Sequence, residues 1–119
     1  MQIREGKSVL YQNGGSAIAN GDVVIMGNTV GVALESIGAT TGTGMVAVEG
    51  VYSIPKVTGA VIGIGQTVFW DVSAGNVDDN AATAAAGDIK NGMIAMESAG
   101  SGILAIEVKL TPGSGVVHS

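Results

Sequence analysis

The chain has no cysteine, and its 119 residues include only one histidine, one tryptophan and one phenylalanine. Without cysteine there is neither a disulfide framework nor a thiolate metal site. Only 13% of the residues are charged, about half the usual share. Five basic residues against ten acidic ones give a net charge of −5. This balance argues against nucleic acid as a partner, because phosphate contacts need clustered lysine and arginine.

Long apolar runs are also missing. The first residues, MQIREGKSVLYQ, lack the apolar core of a signal peptide. No stretch approaches the roughly 18 apolar residues that a membrane span requires. We therefore expect synthesis in the cytoplasm and no membrane partner.

Glycine and small apolar residues are abundant instead, with 20 glycines and 46% apolar residues. Short runs rich in valine and isoleucine alternate with Gly and Asn turns, which predicts a mainly β, small single-domain β-barrel or sandwich. Leu104, Ile106, Val108 and Leu110 alternate with Ala105, Glu107 and Lys109, as in a half-buried strand. The one helix candidate is residues 80–86, with Asp79 or Asn80 as N-cap and Gly87 as stop; an extended loop is the alternative.

The pattern predicts one β-rich domain over residues 1–110, which begins with a short N-terminal arm, residues 1–5. Residues 111–119 are polar and glycine-containing after Pro112. We expect them to form a flexible tail or an arm that contacts a partner.

An internal similarity suggests two related strand–strand–hairpin units around one core. The alternative is chance similarity in a chain rich in Val, Ala and Gly. The similar pairs are residues 32–36 with 94–98, residues 43–49 with 101–107, and residues 21–24 with 65–68. This alignment makes the connecting loop four residues longer in the first copy.

No motif of the sequence carries catalytic or ligand-binding chemistry. Gly6-Lys7-Ser8 lacks the upstream glycine and strand of a phosphate loop. Residues 42–47, GTGMVA, fit a loose dinucleotide fingerprint, but a strand pattern follows them where a helix is required. The lone His118 lies at the chain end, and Asp78-Asp79 is typical of a solvated loop. We interpret Glu35, Glu49, Glu97 and Glu107 as surface charges, and we expect no enzyme activity, cofactor or metal.

Residues 65–71, GQTVFWD, hold the only phenylalanine and the only tryptophan. Alternation puts Val68 and Trp70 on one face and Phe69 on the other. One core face cannot take both aromatic residues. We therefore expect Phe69 and Trp70 to be core or trimer anchors, with one aromatic face exposed or covered by a neighbouring subunit.

In order along the chain, five segments resemble the small head decoration proteins, or capsid cement proteins, of phages. These segments are REGKSVLY (4–11), GDVVIMGNTVGVA (21–33), GVYSIPK (50–56), GQTVFWD (65–71) and residues 92–110. Together they are spread over residues 4–110, nearly the whole length of the sequence. Lys7 and Gln66 depart from the pattern, which often has Asp at both positions.

The resemblance implies a structural virion protein, usually trimeric, that binds the outside of the expanded shell of a tailed phage. It implies the major capsid protein as partner, and Gln2, Ile3 and Arg4 as contacts made by an extended arm. Pairing of these residues within the protein's own trimer is the alternative for the arm. A phage fibre or another binding module, such as a carbohydrate-binding domain, is the alternative. A cryptic enzyme or a recombinase-associated factor is a third class.

Overall fold

The fold is built entirely from strands. The computed structural model describes residues 6–79 and 84–118, and within these ranges the chain forms ten strands and no helix. The strands are β1 (Ser8–Gln12), β2 (Val23–Met26), β3 (Thr29–Ala33), β4 (Thr43–Ala47), β5 (Val51–Pro55), β6 (Thr67–Asp71), β7 (Asn76–Asp79), β8 (Ile89–Ala95), β9 (Ala105–Leu110) and β10 (Val116–Val117). Residues 80–83 of the helix candidate lie outside the described ranges, and residues 84–87 are not helical.

Two antiparallel sheets make up the molecule. The first sheet has the order β1-β4-β3-β2, and the second has the order β5-β9-β8-β6-β7 with β10 paired to β8. A single parallel bridge between Lys56 and Val77 links the far strands of the second sheet, which does not close into a barrel. The expected mainly β fold is confirmed, in its sandwich form.

The two sheets are copies of one arrangement. Ser8 pairs with Ala47 in the first sheet as Val51 pairs with Lys109 in the second. Val32 likewise pairs with Ala47, and Ile94 with Lys109. Residues 7–48 are therefore a first repeat and residues 50–110 a second repeat. The second repeat carries an additional segment, residues 72–88, which includes β7.

The registers support two related units but correct the sequence alignment. Residues 32–36 do match residues 94–98. Thr43, however, is equivalent to Ala105 and not to Ser101, because Gln12 pairs with Thr43 as Pro55 pairs with Ala105. The connecting loops are thus equal in length, and the predicted four-residue difference is wrong. The sequence alignment is displaced by four residues because Thr43-Gly44 resembles Ser101-Gly102.

The main core joins both repeats. Val30 and Val32 of β3 belong to the same buried cluster as Trp70, Met93 and Ile106 of the second repeat. A smaller cluster, made of Val24, Ala33, Ile37 and Val46, lies within the first repeat. Alternate residues of β2 and β3 thus contribute to different clusters, as the two faces of a strand do.

Both aromatic anchors are interior in the single chain. Phe69 is 1% exposed and Trp70 is 7% exposed. The prediction that one aromatic face stays exposed or needs a neighbouring subunit is wrong, because both faces of β6 are buried within the single chain. A role of either residue across a trimer contact stays a prediction.

The C-terminal segment contacts the second sheet. β10 pairs with β8 through Val116–Lys90 and Val117–Ile89, and the His118 amide donates to the Asp88 carbonyl at 2.8 Å. A Cβ on Gly115 would overlap the Asn28 carbonyl oxygen in the β2–β3 turn. Within the expected tail, Val116, Val117 and His118 are therefore hydrogen-bonded to residues 88–90, and Gly115 lies against Asn28 of the first repeat. That the tail is flexible or contacts a partner stays a prediction.

Candidate interaction surface

Each repeat carries a strap, which we define as two irregular segments hydrogen-bonded to each other. The first strap is residues 13–20 with 36–42, and the second strap is residues 56–64 with 98–104. Ile18 and Ile37 exchange backbone hydrogen bonds of 2.9 and 2.8 Å, and Ile62 and Ala99 exchange two of 2.9 Å. The straps therefore share a backbone scheme around these bridges, although the first segment of the second strap is one residue longer than that of the first.

Equivalent glutamates, each one residue before a strap segment, bind the neighbouring strand of their sheet. Glu35 accepts a hydrogen bond from the Met45 amide at 2.9 Å, and Glu97 accepts one from the Glu107 amide at 3.0 Å. These carboxylates bind backbone amides, a role that the sequence prediction of ordinary surface charges missed. The signal was present in the repeated Leu-Glu-Ser and Met-Glu-Ser.

A second pair of equivalent side chains caps the turn before β2 and β6. Asp22 accepts from the Ala19 amide at 3.0 Å, and Gln66 accepts from the Gly63 amide. A side-chain oxygen three residues after the donor closes the turn in both repeats. The Gln66 side chain therefore makes the same turn-closing hydrogen bond as Asp22 does in the first repeat.

A buried polar side chain ties the two segments of each strap together. Asn13 is 3% exposed and donates to the carbonyls of Ser16 and Gly38 at 2.6 and 3.1 Å. Lys56 is also 3% exposed, and its Nζ donates to the carbonyls of Val57, Gly100 and Ile103 at 2.8, 3.2 and 3.3 Å. Buried polar groups need such partners. Both side chains therefore fix the two segments of their strap relative to each other.

The two straps differ in what they present to solvent. The second strap exposes four large apolar side chains: Val61 at 64%, Ile64 at 68%, Ile103 at 47% and Leu104 at 66%. The equivalent residues of the first strap are Ala17, Asn20, Thr41 and Gly42. The apolar surface therefore belongs to one repeat and is not a requirement of the shared fold.

The predicted arm contacts Gln2, Ile3 and Arg4 lie outside the described residues. Lys7 directly precedes β1, and we call this region the chain entry. The Lys7 carbonyl accepts a hydrogen bond from the Val48 amide at 2.9 Å. Close by, the Gly50 carbonyl accepts one from the Leu110 amide. The Lys56–Leu104 hydrogen bond lies at the opposite end of β5 and β9. The chain entry and the second strap are therefore at opposite ends of these strands.

Other candidate residues have structural surroundings. Thr43–Ala47 of the fingerprint-like stretch is strand β4, so no helix follows the glycines. No group of three acidic or histidine side chains within residues 6–79 and 84–118 is arranged to hold a metal. In the same ranges no helix is long and apolar enough to cross a membrane.

Two aspartates that the sequence did not single out hold the additional segment of the second repeat. Asp88 is 2% exposed and accepts from the amides of Val72 and Ala85 at 3.0 and 2.8 Å. Asp71 accepts from the Ala74 amide at 3.1 Å and the Ser73 hydroxyl at 2.9 Å. These hydrogen bonds, that of Ala74 above all, lower the pKa of the Asp71 carboxyl below its usual range.

Comparison with known families covers almost the whole chain. The family model for phage cement proteins matches residues 3–110. The chain belongs to the phage cement protein family. No curated protein matches it. The matched range takes in both repeats and both straps of this cement protein, and it stops where the C-terminal segment begins.

The two departures from the family pattern leave the fold of this cement protein intact. Lys7 and Gln66 are both exposed. Lys7 lies at the chain entry, and Gln66 closes the turn before β6.

Proposed function

We propose that this cement protein binds the outer surface of the expanded shell of a tailed phage and stabilises it by bridging neighbouring major capsid subunits. In this proposal it is made in the host cytoplasm, acts as a homotrimer and performs no catalysis. The observation that carries the proposal is the family match over residues 3–110, because cement names a component that holds a shell together.

The stabilisation follows from mass action. A protein that binds the expanded shell more tightly than the unexpanded or broken shell shifts the equilibrium toward the expanded one. A trimer can bind the shell at several points. Once the first contact has formed, each further contact forms within the same complex, so weak individual contacts give strong overall binding. No chemical step is needed.

The shape of the second repeat supports bridging. β5 and β9 are five and six residues long, which separates their ends by about 17–20 Å. The chain entry lies at one end and the second strap at the other. In our proposal Gln2, Ile3 and Arg4 add to a strand edge of the capsid protein, with Ile3 as apolar anchor and Arg4 facing an acidic patch. Pairing of this arm within the trimer is the alternative.

Cosedimentation tests the proposal. Expanded and unexpanded shells of the phage that encodes the protein, both prepared without it, are mixed with the purified protein and pelleted. We expect saturable binding to expanded shells and much weaker binding to unexpanded shells. Equal binding to both would contradict preference for the expanded state, and absence of binding to either would contradict the proposed function.

A further inference from the structure

The second strap differs from the first in a way that the fold does not explain. Both straps have the same bridges, the same carboxylate contacts and a buried polar tie. Leu34 and Met96, equivalent residues beside the straps, are both exposed, at 45% and 41%. That exposure is therefore common to both repeats. Only the second strap adds exposed valine, isoleucine and leucine, so the first strap serves as an internal control.

The added surface is apolar and carries no exposed charge. Within residues 56–64 and 98–104 the only ionisable side chain is Lys56, which is buried. The chain as a whole has a net charge of −5. A surface without charge loses no ion hydration when it is covered, and its apolar side chains gain from burial. This chemistry fits an apolar, uncharged partner surface.

We propose that the second strap is the surface that docks on the phage shell, with Val61, Ile64, Ile103 and Leu104 against an apolar, uncharged region of the capsid protein. The inference rests on the proposed function and names the side of the molecule that carries it out. Lys56 acts as a positioning residue, because its amino group binds carbonyls on both segments of the strap.

The size of the strap favours the shell over a second copy of this chain. Four half-exposed side chains offer on the order of a few hundred Å² of apolar surface. A stable two-protein interface buries about 800 Å² on each partner. The strap alone is therefore small for self-association. A small contact suffices on a shell, where it is repeated and combined with others.

The test exchanges strap residues for their counterparts in the first repeat. The double variant Ile64→Asn with Ile103→Thr is compared with a control, Leu34→Asn with Leu10→Thr, which alters two exposed apolar residues away from the second strap. Each protein is assayed for cosedimentation with expanded shells. Thermal melting and sedimentation velocity report its fold and its mass.

The strap variant is expected to bind expanded shells on the order of a hundredfold more weakly, since burial of one isoleucine is worth about a factor of ten. Its melting temperature and mass should equal those of wild type, and the control should bind like wild type. Wild-type binding by the strap variant, or equal loss in the control, would overturn the inference alone. A change of mass in the strap variant would assign the strap to self-association. Failure of the wild-type protein to bind would instead overturn the proposed function and this inference with it.

Discussion

Lys56 occupies in the second repeat the position that Asn13 occupies in the first. Both side chains are buried at 3% exposure, and both bind the glycine carbonyl at the same place in the facing segment, Gly38 or Gly100. The longer lysine reaches one carbonyl more, that of Ile103. Within residues 6–79 and 84–118, the buried Lys56 amino group is thereby held by backbone carbonyls on both segments of the second strap.

Replacement of Lys56 by methionine should destabilise the protein. Lys56→Met keeps the length of the side chain but removes the Nζ donor from three carbonyls. Those of Val57 and Gly100 still accept from the Ala60 and Ile103 amides. We expect the free energy of unfolding to fall by about 1–3 kcal/mol. Relief of the buried charge works in the opposite direction, but the lost hydrogen bonds are charge-assisted and outweigh it. Chemical denaturation measures the change. Lys109→Met, at an exposed position of β9, is the control, and equal stability of the two variants would contradict the prediction.

Trp70 is the largest side chain of the main core, and its removal should leave a cavity. We expect Trp70→Ala to lower the free energy of unfolding by about 3–5 kcal/mol. Val72→Ala alters a side chain that is 47% exposed two residues along and should change stability by less than about 0.5 kcal/mol. Thermal melting compares the two. A Trp70→Ala protein that melts within a degree or two of wild type would show that Trp70 is not a core anchor.

Asp71 should make stability depend on pH in the acidic range. Its pKa is lower in the folded protein than in the unfolded chain, because the Ala74 amide and the Ser73 hydroxyl bind the carboxylate. The stabilising contribution is therefore complete above the unfolded pKa, about 3.9, and is lost as pH falls through the folded pKa. Melting of wild type and Asp71→Asn between pH 2 and pH 6 measures it. The stability difference between them should shrink below about pH 4, and a constant difference would contradict the assignment.

Removal of residues 1–4 should separate the two roles proposed for the N-terminal arm. If the arm binds the shell, the shortened protein keeps its melting temperature and its mass in solution but binds expanded shells far more weakly. If the arm pairs within the trimer, stability or mass falls instead. Unchanged shell binding after the deletion would contradict the arm contact of Gln2, Ile3 and Arg4.

The sequence predicts a strand well where buried apolar residues alternate with exposed polar ones. The alternation of Ile106, Val108 and Leu110 with charged neighbours follows from one buried face, and β9 has that pattern. Leu104, predicted on the same buried face, is the exception, because it precedes β9 and is 66% exposed. The position of Thr43 could not be predicted, because short glycine-containing segments align in several registers and only the pairing with Gln12 selects one.

Features that depend on distant residues were harder to predict. The burial of Phe69 together with Trp70 depends on residues distant in sequence that cover both faces of β6, which a single heptad does not reveal. The straps were missed for the same reason, since Lys56 and Gly100 meet only in the folded chain. The apolar residues of the second strap stand out only once the first strap has been aligned with it.

Calorimetry of the expanded shell shows whether the bound protein stabilises it. Expanded shells prepared without the protein are heated alone and with increasing amounts of the purified protein. We predict that the melting transition of the shell rises with protein concentration until the binding sites are filled, as mass action requires. An unchanged transition in shells that demonstrably carry the bound protein would contradict the claim that it stabilises them.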